Sequence, residues 1–244
     1  MRSKEILLDT AEVIESTLGK IERLKVLSDK EKEAVKTKLR NAASNFRKLA
    51  EEAEKDNSEL AEFFFKKAKE LKLASVDKKI EEMGKKEYLK AVNRMELYSL
   101  SARYDFKPEQ LAELKRVYRK YIFGMTSFFV LSGLYLNQFL AVTALIMAIP
   151  IILSMLALQR RGYLGLLLAY SAMPIPMIVG AMAVSYGVRT LNDPARVAEI
   201  AQHLSKSTAF AKGYLVLLTL LAAVELYLLI SAAVGLYKHR HAFL

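Results

Sequence analysis

The sequence contains no cysteine and no tryptophan among its 244 residues. Without cysteine there is nothing to cross-link, which excludes a disulfide scaffold. Residues 1–120 hold a single proline, Pro108, and two glycines, Gly19 and Gly84. So few breakers leave long helices as the default there. Charge is scarce in the other half: residues 121–244 carry 8 Lys/Arg and 3 Asp/Glu, against 29 and 23 in residues 1–120. A single soluble globular domain needs a charged surface all round, so this division excludes one. Also missing are a glycine-rich phosphate loop, a nucleophile elbow, paired catalytic carboxylates and a zinc motif. Nothing in the sequence asks for an enzyme, a cofactor or a metal. Acids interleave with bases almost one for one in residues 1–120, so no basic face for nucleic acid arises either.

What is present reads first as membrane. From Tyr121 to Gln159 no residue is charged. One helix of that length would run about 58 Å, roughly twice a bilayer's hydrocarbon core. The run therefore folds back, and its only polar pair, Asn137-Gln138, marks a tight hairpin between spans at 121–136 and 139–158. Arg160 and Arg161 close that pair. A third span at 163–188 carries Pro174 and Pro176, which remove backbone donors and predict a kink or a helix break. Broken helices expose carbonyls to ions in some transporters, and bundles tolerate packing kinks just as well. The fourth span, 213–237, is interrupted only by Glu225. The acidic and basic residues at the N-terminus, Arg2, Lys4, Glu5 and Asp9, argue against a signal peptide.

Orientation follows from Lys and Arg beside the spans. Lys115, Arg116, Arg119 and Lys120 precede the first, Arg160 and Arg161 separate the second and third, and Lys238 and Arg240 follow the fourth. The reading is a multi-pass protein of the cell membrane with both termini cytoplasmic and an outer loop at 189–212. These cations suit anionic lipid headgroups. In the outer loop, Asn192-Asp193-Pro194 predicts a helix start, followed by a face of Val197, Ile200, Ala201 and Leu204, as in a surface-lying amphipathic helix.

The fold class is all-α: a cytosolic helical domain over residues 1–107, a connecting helix over 108–120, and a transmembrane domain over 121–244. Leu7, Ile14 and Ile21 recur every seven residues. After the capping-box sequence Ser28-Asp29-Lys30-Glu31, Val35, Leu39, Ala42, Phe46, Leu49 and Ala53 alternate spacings of four and three, a helix-packing seam. Asp56-Asn57-Ser58 starts a third helix with Leu60, Phe63, Phe64, Ala68 and Leu71. Ser75 and Asp77 start a fourth, running through Ile80, Met83, Tyr88, Val92 and Met95. Such helices form either a closed bundle or a coiled-coil hairpin that seeks a partner.

Glu225 is the one ionisable side chain deep in a span, twelve residues from either end. It should face other helices, be protonated or find a partner. It is a candidate proton or cation site, or else a neutral acid bonded to Ser127, Thr143 or Ser171. His239 and His241 sit in a charged tail with no converging ligands, so a metal is not expected there. Ala183-xxx-Gly187 and Ser231-xxx-Gly235 allow close helix approach. Two functions fit. One is a membrane subunit or scaffold that binds a protein partner or itself through the cytosolic helices. The other is a small oligomeric channel or transporter built on Glu225 and the Pro174/Pro176 break. The layout resembles that of the membrane platform proteins of type II secretion and archaeal pilus systems, with no motif to carry a family assignment. No Cys, few Asn and Gln, and abundant Lys and Glu lean toward a thermophilic prokaryote.

Overall fold

A computed structural model describes residues 1–134 and 138–243, and among these the structure is helical with no strand. The chain divides into two compact units, 1–112 and 113–243.

The first unit comprises α1 (Arg2–Ile21), α2 (Asp29–Glu52), α3 (Ser58–Ala74), α4 (Asp77–Met83), α5 (Lys85–Ser101) and α6 (Arg103–Phe106). Helix α1 packs on α2 and α3, and α5 packs on α2 and α3. The heptad faces of α1 and α2 are consumed within this core: Leu7, Ile14, Leu39 and Phe46 are all essentially inaccessible to solvent. Phe46 meets Phe64 with ring centroids 5.4 Å apart. The helices therefore pack with one another rather than leaving an open seam. Local polar groups fix the ends. Ser28 and Glu31 form the reciprocal cap at the start of α2, and Asn57 accepts from the amide of Leu60 at the start of α3. Asp77 ties its segment to the α1–α2 turn by accepting from the amides of Lys25 and Val26 at 2.8 and 3.1 Å.

Two sequence expectations change here. The helix read from Asp77 through Met95 is two helices, because Gly84 adopts φ +88°, a left-handed conformation that glycine enters without steric cost. Phe63, read as part of the core stripe, is 40% exposed while its neighbour Phe64 is buried. Adjacent residues on a helix point about 100° apart, so a core face that takes Phe64 leaves Phe63 at its edge.

The second unit begins within α7 (Pro108–Leu134) and continues with α8 (Gln138–Gln159), α9 (Tyr163–Ala172), α10 (Pro174–Leu191), α11 (Pro194–His203) and α12 (Thr208–Lys238). Three stretches are long and apolar enough to cross a membrane: Phe139–Gln159, Tyr163–Leu191 and Thr208–Lys238. The helix carrying the expected span at 121–136 is not among them. Its described uncharged part, Tyr121 to Leu134, is about 21 Å long, short of a 30 Å core. The expected hairpin at Asn137 lies outside the described residues.

Helix α8 packs along α9, and α10 packs on α12 and α11. Helix α11 is the amphipathic helix expected in the 189–212 loop. Asp193 caps it by accepting from Ala195 and Arg196, and Val197 and Ala201 are buried against Ala211 and Leu215. Helix α7 runs antiparallel to α12. Glu113 lies 3.3 Å from Lys238, Lys120 donates to Ser231 at 2.7 Å, and Tyr214 donates to the carbonyl of Leu134 at the far end.

Candidate functional site

The buried positions of α12 are Ala211, Leu215, Leu218, Ala222, Glu225, Leu229, Ala232 and Leu236, alternating four and three. Those of α10 follow the same rhythm: Pro176, Gly180, Ala183, Gly187 and Thr190. Two such seams pack as ridges of large residues against a groove of small ones. Gly187 is where Thr219 sits; a Cβ there would collide with the Thr219 side chain. Gly124 of α7 admits Leu229 in the same way, since a Cβ on it would lie 2.6 Å from Leu229 Cδ2. Gly235 makes room for Val117 of α7. Both small-residue spacings read from the sequence are thus packing positions, as are two unread glycines, Gly124 and Gly180. Extending the four-three count along both helices would have exposed Gly180.

Glu225 lies in this seam, fully buried, with neither carboxylate oxygen hydrogen-bonded. Its immediate neighbour on α10 is Gly180, where an added Cβ would stand 3.3 Å from Glu225 Oε2. The hydroxyls expected as partners are engaged elsewhere. Ser127, Thr143 and Ser171 each donate to a carbonyl four residues back in their own helix, at 2.8–2.9 Å. That one-turn reach satisfies a hydroxyl locally, which is why a hydroxyl on a neighbouring span is a poor predictor of a cross-helix bond. Thr190 Oγ1, in the same α10 seam, is also buried without a partner.

The prolines do less than a full break. Met173 keeps helical dihedrals, φ −62° and ψ −37°. Its amide bonds to Ala169 and its carbonyl accepts from Met177. Pro174 and Pro176 have no N–H to donate, and the interruption between α9 and α10 is confined to Met173. Pro150, inside α8, is a third interior proline that the sequence reading passed over.

Four basic residues of this unit, Arg189, Arg196, Lys206 and Lys212, lie in the 189–212 stretch at one end, and the other eight gather at the opposite end. Lys115, Arg116, Arg119 and Arg160 are exposed there. Lys120 is half-buried on Ser231, with Tyr227 beneath its ammonium at 6.0 Å. Arg161 takes the left-handed position that ends α8, φ 56°, and donates through Nε to the carbonyl of Ala242 at 3.1 Å. His239 is nearly buried, with Nε2 3.5 Å from Glu113. Burial holds it below the usual histidine range, with Lys238 adding to the effect and Glu113 opposing it. No group of three or more His, Cys, Asp or Glu close enough to hold a metal occurs among the described residues. Comparison with protein-family models, with curated proteins and with solved structures finds no match to this chain.

Proposed function

We propose that the chain is a non-enzymatic, multi-pass subunit or scaffold of a prokaryotic cell membrane. In this reading it has four spans, both termini in the cytoplasm, and a partner-binding N-terminal unit. The observation that carries the partner reading is an open groove of about 240 Å³ on α3, α4 and α5, lined by the buried Leu71 and Met95, by Tyr98 and by the exposed Met83. Lys67, Glu70 and Arg94 form its rim, and Phe63 stands beside it with its ring 5.6 Å from that of Tyr98. A helix from a protein partner or a second copy fits such a surface, apolar at the base and charged at the edge. The heptad seams of α1 and α2 no longer support partner binding, since both are already buried.

The span expected at 121–136, beyond the three apolar stretches, is supported by the packing of α7 along α12. The uncharged part of α7 from Tyr121 to Leu134 advances about 21 Å along α12, and the charged turns from Glu113 to Lys120 extend the contact to about 32 Å. Its charged first turns lie against the end of α12 that carries Lys238, and Arg161 meets the chain just beyond. Three basic clusters at one end favour that end being cytoplasmic, beside anionic headgroups.

Because the chain has no native cysteine, single cysteines at Lys66, Gln202 and Arg240 test this topology directly. An impermeant maleimide should reach Gln202→Cys in intact cells, and Lys66→Cys and Arg240→Cys only after lysis. Lys66 and Arg240 on opposite sides would mean three spans. Crosslinking should give species above the monomer that disappear with Met83→Glu; monomer alone, with nothing captured, would refute the scaffold. The channel or transporter reading is favoured by one observation, the unpartnered carboxyl of Glu225 within the bundle. It predicts that Glu225→Gln abolishes proton or cation flux in liposomes.

A further inference from the structure

An apolar groove of about 680 Å³ lies between α8 and α10. Its walls include Phe139 and Thr143 on one side and Ile175, Ile178, Met182 and Tyr186 on the other. It arises because α8 keeps company with α9, while beyond the proline kink α10 packs on α12. The two helices therefore part from the kink onward. From Ile175 to Tyr186 the groove follows α10 for about 16 Å, half of a 30 Å hydrocarbon core. That is the depth of one leaflet. A partner's transmembrane helix would need a groove through both leaflets, and here the packing of α8 on α9 closes the other half.

The mouth has its own chemistry. Arg189 continues the stripe of Met182 and Tyr186 one turn further, is exposed, and makes no ion pair with any described residue. Thr143 spends its proton on the carbonyl of Phe139 at 2.8 Å. A cation at the rim of a one-leaflet apolar slot matches an amphiphile with an anionic head.

We infer that this groove binds one anionic phospholipid from the leaflet that faces the 189–212 loop. One acyl chain lies between α8 and α10, and the phosphate rests on Arg189. The inference uses the membrane reading of α8, α9 and α10 and adds to it a specific ligand and a residue that selects it.

The absence of tryptophan provides the assay. Phe139→Trp places a single indole in the groove, Met182→Trp does so from the facing wall, and Ile149→Trp places one on an exposed stretch of α8. Each protein is reconstituted in phosphatidylcholine vesicles containing phosphatidylglycerol, with bromine on the acyl chains of one lipid or the other. In the groove, brominated phosphatidylglycerol should quench with about fivefold preference, the factor that roughly 1 kcal/mol per basic side chain near a surface corresponds to. At Ile149→Trp the preference should be close to one. Adding Arg189→Gln should bring the groove reporters to that level. Equal quenching by both lipids in the groove would overturn the inference, as would a preference that survives Arg189→Gln. Groove reporters that no lipid quenches would mean that a second copy or a partner helix fills the slot. Protein that fails to float with the vesicles on a density gradient would defeat the membrane reading, and this inference with it, before any fluorescence is read.

Discussion

Replacing Glu225 by methionine should stabilise this protein. The wild-type side chain buries two carboxylate oxygens with no hydrogen bond, in a seam made otherwise of Ala222, Leu229 and the α10 residue Gly180. A buried polar group left unsatisfied costs about 1–3 kcal/mol. Methionine has similar length, adapts to irregular gaps and forms helix as readily as glutamate. Its repacking against Gly180 should cost less than about 1.5 kcal/mol. The expected net is a gain of about 1 kcal/mol, or about 2–4 °C in the thermal midpoint for a chain of this size. Glu225→Gln keeps two polar atoms in the same place and should move the midpoint little. The measurement is unfolding in a mild detergent, by heat and by titration with sodium dodecyl sulfate, on all three proteins. If Glu225→Met instead lost more than about 1 kcal/mol while Glu225→Gln lost nothing, the carboxyl would have a polar partner in the assembled protein. The packing argument above would then fail. A gain in stability joined to a loss of flux would identify Glu225 as a group kept at a cost for what it does.

Other expectations concern separate parts of the molecule. Phe46→Ala should destabilise the first unit by about 3–5 kcal/mol, since the ring is fully buried against Phe64, and loss of helical circular dichroism at a lower temperature would report it. Gly187→Leu should loosen α10 from α12 by about 1–3 kcal/mol or more, because even a methyl group collides with Thr219; an unchanged midpoint would contradict the seam. For His239 the sign follows from burial, which holds its folded value below the ordinary 6.5. Its contribution is complete above pH 6.5 and is lost as pH falls through the folded value. Between pH 7.5 and 5.5 the wild type should lose stability that His239→Gln does not lose, and parallel slopes for the two would exclude this origin.

Much of the helical layout was readable because it rests on local signals. Ser28 with Glu31, Asn57, and Asp193 with Pro194 each mark a helix start that the structure has, and each works through bonds within a few residues. The exceptions have physical causes. Gly84 looks like any tolerated helical glycine until its φ is known, so the break between α4 and α5 was invisible. Pro174 and Pro176 predict a kink or break, and there α9 ends and α10 begins with only Met173 between them, its dihedrals still helical. The first expected span was legible as an uncharged run, but its packing depends on contacts more than a hundred residues away, such as Lys120 with Ser231.

Glu225 shows where local reading stops. Its helix face was largely legible: helical spacing puts Leu218, Leu221, Ala222, Leu228, Leu229 and Ala232 beside it, and all but the half-buried Leu221 and Leu228 share its buried side. What it meets was not, because that depends on which residue of another helix arrives opposite. Ser171 and Thr143 offered hydroxyls, but a hydroxyl on an isolated helix already has an acceptor one turn back, so it gains little by turning to a neighbour. Gly180 offers no side chain at all, and that lets the α10 backbone come close enough to cover the carboxyl. A larger residue at 180 would hold the helices apart and admit water or lipid beside Glu225. Gly180→Ala places a methyl 3.3 Å from Oε2, a distance that small shifts relieve, whereas Gly180→Leu must separate the helices. The two substitutions therefore discriminate between a carboxyl that is merely enclosed and one whose enclosure matters: if flux exists, Gly180→Leu should alter it as strongly as Glu225→Gln, and Gly180→Ala should leave it nearly intact.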